Sequence, residues 1–118
     1  MNELFWQNTN KEIIQQYPDI VELVWQQVLK DFSMEALPIE DTPIVTLDDV
    51  FNAVYPHVTH YIKNDFSSLM RLLYRIDISE KSVQRQMDLM PDDTALAIST
   101  LIVKREIQKV VLRKQYSA

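Results

Sequence analysis

The sequence predicts an all-α, single-domain bundle of five to six helices, and three observations carry that expectation. Along most of the chain the apolar residues recur at helical spacing and do not alternate as they would in a strand. Five prolines (Pro18, Pro38, Pro43, Pro56 and Pro91) supply punctuation that glycine, which is absent, would otherwise share. Apolar residues make up 47% and charged residues 25% of 118 positions, an ordinary globular balance with enough chain for one core over residues 1–118.

The elements follow in order. Residues 3–16 hold Leu4, Phe5, Trp6, Ile13 and Ile14 around a polar NTNKE stretch, read as a helix in one or two pieces. Pro18 and Asp19 start a better one over 19–32. There Ile20, Val21, Val24, Trp25, Val28, Leu29 and Phe32 share one face, Glu22, Gln26 and Lys30 oppose them, and Leu23 is the apolar residue out of place. Residues 33–45, with two prolines and Glu40–Asp41, form a long connecting loop that cannot be continuous helix.

Thr46 precedes Leu47-Asp48-Asp49, an N-cap followed by acids that suit the positive end of a helix. The stripe Leu47, Val50, Phe51, Val54, Val58, Tyr61 and Ile62 keeps its phase through Pro56, which predicts one continuous helix kinked there. Asn64 or Asp65 caps the next, whose face is Phe66, Leu69, Met70, Leu72, Leu73 and Ile76. Ser79 caps a shorter helix over 80–89, with Val83, Met87 and Met90 aligned. Pro91 and Asp92–Asp93 close it and begin the last, over 93–115.

That last helix carries two apolar stripes. Leu96, Val103, Ile107, Val110 and Val111 lie on one side; Ile98, Leu101, Ile102 and Leu112 lie roughly opposite. A helix apolar nearly all round is buried on both sides, so it is the central helix of the bundle or is covered by a second subunit. Its many β-branched residues leave a strand as the competing assignment for part of it.

Much chemistry is excluded at once. Without glycine there is no phosphate-cradling loop, dinucleotide fingerprint or nucleophile elbow of the usual kind. Without cysteine there is no disulfide, thiolate metal site or thiol nucleophile. His57 and His60, the only histidines, are spaced to share a metal if carboxylates converge on them, but no E-x-x-H pattern accompanies them. They read as a boundary and a surface histidine. Asp48–Asp49 and Asp92–Asp93 sit where helices begin, so capping explains them better than catalysis. No serine is marked as activated, and no cofactor or metal is expected.

The formal charge of −5 conceals an asymmetry. Residues 1–100 carry seven basic and sixteen acidic side chains; residues 101–118 carry five basic and one acidic. Arg105, Lys109 and Arg113 form the one basic stripe, a candidate contact for an anion or a partner. With so acidic a body, nucleic acid is a poor fit. The most apolar window, Ala95 to Val103, is nine residues long where a membrane span needs about 20. A start of MNELFWQNTNKE without a basic leader, and the lack of cysteine, make the cytoplasm the expected location.

The leading functional expectation is a small non-enzymatic helical protein acting through protein–protein interaction or self-association, such as a homodimer. Its candidate interface is Trp6, near a terminus and off the pattern, with Leu101, Val103, Ile107, Val110 and Val111 of the last helix. The alternative is a nucleic-acid-associated regulatory protein using the basic helix end. A third reading is a small hydrolase or metal-dependent enzyme built around His57 and His60.

Overall fold

A computed structural model describes residues 12–116 of the chain. Six helices account for most of them: α1 (12–16), α2 (Ile20–Met34), α3 (Leu47–Asn64), α4 (Phe66–Arg75), α5 (Glu80–Leu89) and α6 (Thr94–Tyr116). No strand occurs among the described residues, so the β-branched run of α6 is helical throughout. Tertiary packing overrides local propensity there. The expected helical stretch before residue 12, with Leu4, Phe5 and Trp6, lies outside the described residues.

The caps are those that side-chain chemistry predicts. The Thr46 hydroxyl accepts from the Asp49 amide and the Asp49 carboxylate accepts from the Thr46 amide, a reciprocal capping box. Asp65, rather than Asn64, caps α4, and Ser79 caps α5. The Asp93 carboxylate accepts from the Leu96 amide at the start of α6 and from the Tyr55 hydroxyl at 2.8 Å, tying that start to α3. The helix α3 runs unbroken through Pro56, as its unshifted stripe requires, although proline leaves the carbonyl of Asn52 without its usual amide donor.

The C-terminal ends show how a chain without glycine turns. Both α2 and α4 close with paired amide bonds that reach back over the last turn: Leu37 to Phe32 and Ala36 to Ser33, then Ile78 to Leu73 and Asp77 to Tyr74. This motif needs one left-handed residue, usually glycine. Here Ala36 (φ 59°) and Asp77 (φ 70°) take that place. Phe32 and Leu37 are both buried, and Leu73 is buried beneath half-buried Ile78, so each turn is backed by an apolar contact.

Helix α2 runs two residues into the stretch read as loop. The connector after it is anchored: Leu37 and Ile39 are buried, and the Trp25 indole N–H donates to Asp41 at 2.9 Å. One further correction concerns α4. Leu69, Leu72, Leu73 and Ile76 are buried as expected, but Phe66 is 49% exposed and Met70 is half-buried. Phe66, on the first turn, stays outside; Ser68 is buried instead, its hydroxyl satisfied by Asp65 at 2.6 Å.

At the centre stands α6, packed against α2, α3 and α5. From Ala97 to Thr100 four consecutive residues are buried, which no one-sided helix allows. The two apolar stripes therefore find most of their cover within one chain. Among the described residues no helix is long and apolar enough to cross a membrane.

Candidate functional site at the α2–α6 seam

Helices α2 and α6 run antiparallel, and polar side chains mark their seam. Asp31 lies seven residues, two turns, beyond Val24, so its carboxylate falls on the buried line of α2. Glu106 falls three after Val103 and four before Val110, on the buried line of α6. Asp31 is 4% exposed and Glu106 fully buried. Around them, Gln27 donates to Asp31 at 3.0 Å and the Lys109 ammonium donates to Asp31 at 2.9 Å. The Lys109 ammonium also lies 3.4 Å from a Glu106 carboxyl oxygen.

Neither Glu106 oxygen has a hydrogen-bond partner if the group is ionised. Two buried carboxylates facing each other, with the single Lys109 ammonium shared between them, do not both stay charged in such a place. Burial, followed by the neighbouring Asp31, pushes Glu106 up to about 8, against the opposing pull of Lys109. Burial also works to raise Asp31, but hydrogen bonds from Glu106, Gln27 and Lys109 outweigh it and hold that carboxyl below its ordinary range. The pair thus keeps one proton near neutral pH. Glu106 holds it and donates to Asp31, and with Lys109 the cluster is close to neutral overall.

Beside this cluster the seam opens into a cleft of about 390 Å³. Leu23 and Val110 give it an apolar floor, Gln26 and Gln27 line one wall, and Lys30, Arg113 and Lys114 stand around it. Lys114 is tethered to Asp19 at 2.7 Å, and its hydrogen bond holds Asp19 below the ordinary carboxylate range. Lys30 and Arg113 make no ion pair or side-chain hydrogen bond among the described residues.

The basic stripe read from the sequence is therefore divided. Arg105 donates to the Ile76 carbonyl at 3.2 Å and pairs with Asp77 at 3.3 Å. Lys109 serves the buried carboxyls. Arg113 joins Lys30 and Lys114, from another helix face and another stretch of chain. Of the interface candidates, Val103, Ile107 and Val110 are covered by the chain's own helices, while Leu101 and Val111 are half-buried. Trp6 lies outside the described residues.

His57 and His60 do not gather acids. Burial, then the neighbouring His60, lowers His57; both rings lie near Tyr61, and Asn64 meets His60 Nδ1 at 3.2 Å. Among the described residues no group of three or more His, Asp or Glu side chains is placed to hold a metal ion.

A second surface stands on the outside of α4. Phe66, Met70 and Tyr74 follow one another at every fourth position, Tyr74 is 87% exposed, and Met34 at the end of α2 is 57% exposed. Arg75 is held by Glu35 and by the Met34 sulfur, and Arg71 by the Ser68 hydroxyl at 2.7 Å. A depression of about 570 Å³ lies between Glu35, Met70, Arg71, Tyr74 and Arg75.

These features define a compact all-α bundle with a central C-terminal helix and two distinctive surfaces. Comparisons with protein-family models, with curated proteins and with solved structures find no match for the chain.

Proposed function

We propose that the protein is a small non-enzymatic helical interaction protein, and that the outer face of α4 is where a protein partner or a second copy of the chain meets it. The observation that carries this reading is the exposure of Phe66, Tyr74 and Met34, with half-buried Met70 between them, beside two arginines already fixed by hydrogen bonds. Aromatic residues, methionine and arginine are the side chains enriched at protein interfaces, whereas lysine and glutamate are depleted. Tyrosine and arginine also dominate the positions that contribute most binding energy. A guanidinium held in place before contact loses less freedom on binding than a free lysine would.

The test uses a photo-crosslinking residue in place of Tyr74, with a control at Gln84 on the polar side of α5, expressed in the native host. The reading expects a discrete protein adduct from position 74, either the chain itself or another protein, and its loss when Arg71→Glu is added. Equal labelling from positions 74 and 84 overturns it. Sedimentation equilibrium of the purified chain separates the two partners: a dimer abolished by Tyr74→Glu identifies the second copy.

A further inference from the structure

The geometry points to the α2–α6 cleft as a binding site for a small amphipathic anion, a carboxylate carried on a short acyl or aryl body. The site is separate from the α4 surface and does not depend on it. Three features of the cleft determine the class of ligand.

The floor is apolar: half-buried Leu23 lines the cleft beside Val110, which belongs to the core. Leu23 lies off the buried stripe of α2 and keeps part of its surface open to the cleft. A hydrocarbon laid on that floor removes both surfaces from water. Lys30 and Arg113, one from each helix, supply positive charge with no internal partner among the described residues. A planar guanidinium matches a carboxylate with two parallel hydrogen bonds, and an ammonium across the cleft adds a third.

The acidic neighbours are already engaged. Asp31 accepts from Gln27 and Lys109, Asp19 from Lys114, and Glu22 from Gln26 at 3.4 Å. The buried cluster behind the cleft is close to neutral while Glu106 keeps its proton, so it does not repel an incoming anion. The cleft's volume, about 390 Å³, falls at the small end of the range in which small-molecule sites are found. It lacks room for a folded segment but suits a short chain with one charged head.

The experiment titrates octanoate into the full-length, isotope-labelled protein and follows backbone amide shifts. Saturable shifts are expected at Leu23, Gln26, Gln27 and Val110, with a Kd of about 1 mM or tighter. Octanol, which has the tail without the charge, and inorganic phosphate, which has charge without the tail, should each bind at least about ten-fold more weakly, a factor of ten corresponding to about 1.4 kcal/mol. The double variant Lys30→Gln/Arg113→Gln should lose about ten-fold in affinity at an unchanged melting temperature, while Lys81→Gln, which removes one charge from α5, should retain it. Shifts that do not saturate or that map elsewhere overturn the inference. So does octanol binding as well as octanoate, or the double variant binding as wild type does.

Discussion

From Thr94 to Val103, α6 has no charged side chain, and seven of its ten residues are buried: Ala95, Ala97, Ile98, Ser99, Thr100, Ile102 and Val103. From Lys104 to Tyr116 it has six charged side chains, and only Glu106, Ile107 and Val110 are buried. The first half is surrounded; small residues there let neighbouring helices come close, and beyond the Asp93–Tyr55 link at its start it is held by packing. The second half is one-sided and is fastened by specific polar links: Arg105 to Asp77, Lys109 to Asp31, Lys114 to Asp19. Burial of apolar surface is non-directional and stabilises many registers about equally. An ion pair with a buried member, as Lys109 makes with Asp31, contributes less net stability but tolerates few alternatives. We read the first half as supplying cohesion and the second as fixing register against α2.

Five substitutions break or sharpen this contrast. The largest effect belongs to Val103→Glu, which puts an unpaired charge at a fully buried position and should cost about 3–5 kcal/mol, enough to unfold the chain by circular dichroism. Leu101→Glu, two residues away, is half-buried beside Lys104 and Arg105 and should cost less than about 1.5 kcal/mol. Equal losses at both positions would refute the difference in burial between them.

Next comes the pH dependence set by the buried carboxyls. Glu106 is raised in the folded chain, so its contribution is fully present below its ordinary value of 4.5 and is lost as pH rises through about 8. Asp31 is held low, so its contribution is present above its ordinary value of 3.8 and is lost as pH falls. The groups facing the pair are Gln27 and Lys109, and only Lys109 bears charge. Stability should therefore peak near about pH 5, and the melting temperature should fall by several degrees towards about pH 8.5. Glu106→Gln keeps a donor for Asp31 without the charge; it should flatten the alkaline limb and melt higher than wild type at about pH 8.5. A Gln variant that melts lower there would refute the assignment.

A smaller gain should come from Thr100→Val, because the Thr100 and Ser99 hydroxyls are buried with no partner among the described residues. Urea unfolding should show about 1 kcal/mol of added stability. Least of all, Lys114→Ala removes an exposed ion pair, and at about 0.15 M salt the melting temperature should move by about one degree or less.

The helices and their caps were legible because each depends on a few neighbouring residues. Thr46 with Asp49, Ser79 with Ser82 and the unbroken stripe across Pro56 are all local. The buried carboxyls were legible in principle: Asp31 stands on the line of Val24, and Glu106 stands between Val103 and Val110. A stripe of apolar residues alone does not reveal them, because it treats every acid as surface. Leu23 stands off the apolar face of its helix in the sequence, and its place at the cleft floor explains why. The meeting of Lys30 with Arg113 was out of reach, since it depends on how α2 and α6 pair across most of the chain. Phe66 fits a buried stripe by spacing, and only the packing of neighbouring helices leaves it outside.

The two left-handed residues, Ala36 and Asp77, have a consequence on the other side of the folding equilibrium. Each holds a backbone conformation that costs a residue bearing Cβ about 1–2 kcal/mol, and glycine would relieve it. Yet glycine would also enlarge the set of conformations open to the denatured chain, returning about 0.4–1 kcal/mol of that relief as entropy. A protein with no glycine anywhere starts from a narrower denatured ensemble, with less freedom to lose per residue. Its two tight helix ends are where that narrowness is offset by native strain, so replacing Ala36 by glycine would yield far less stability than the relieved strain alone would suggest.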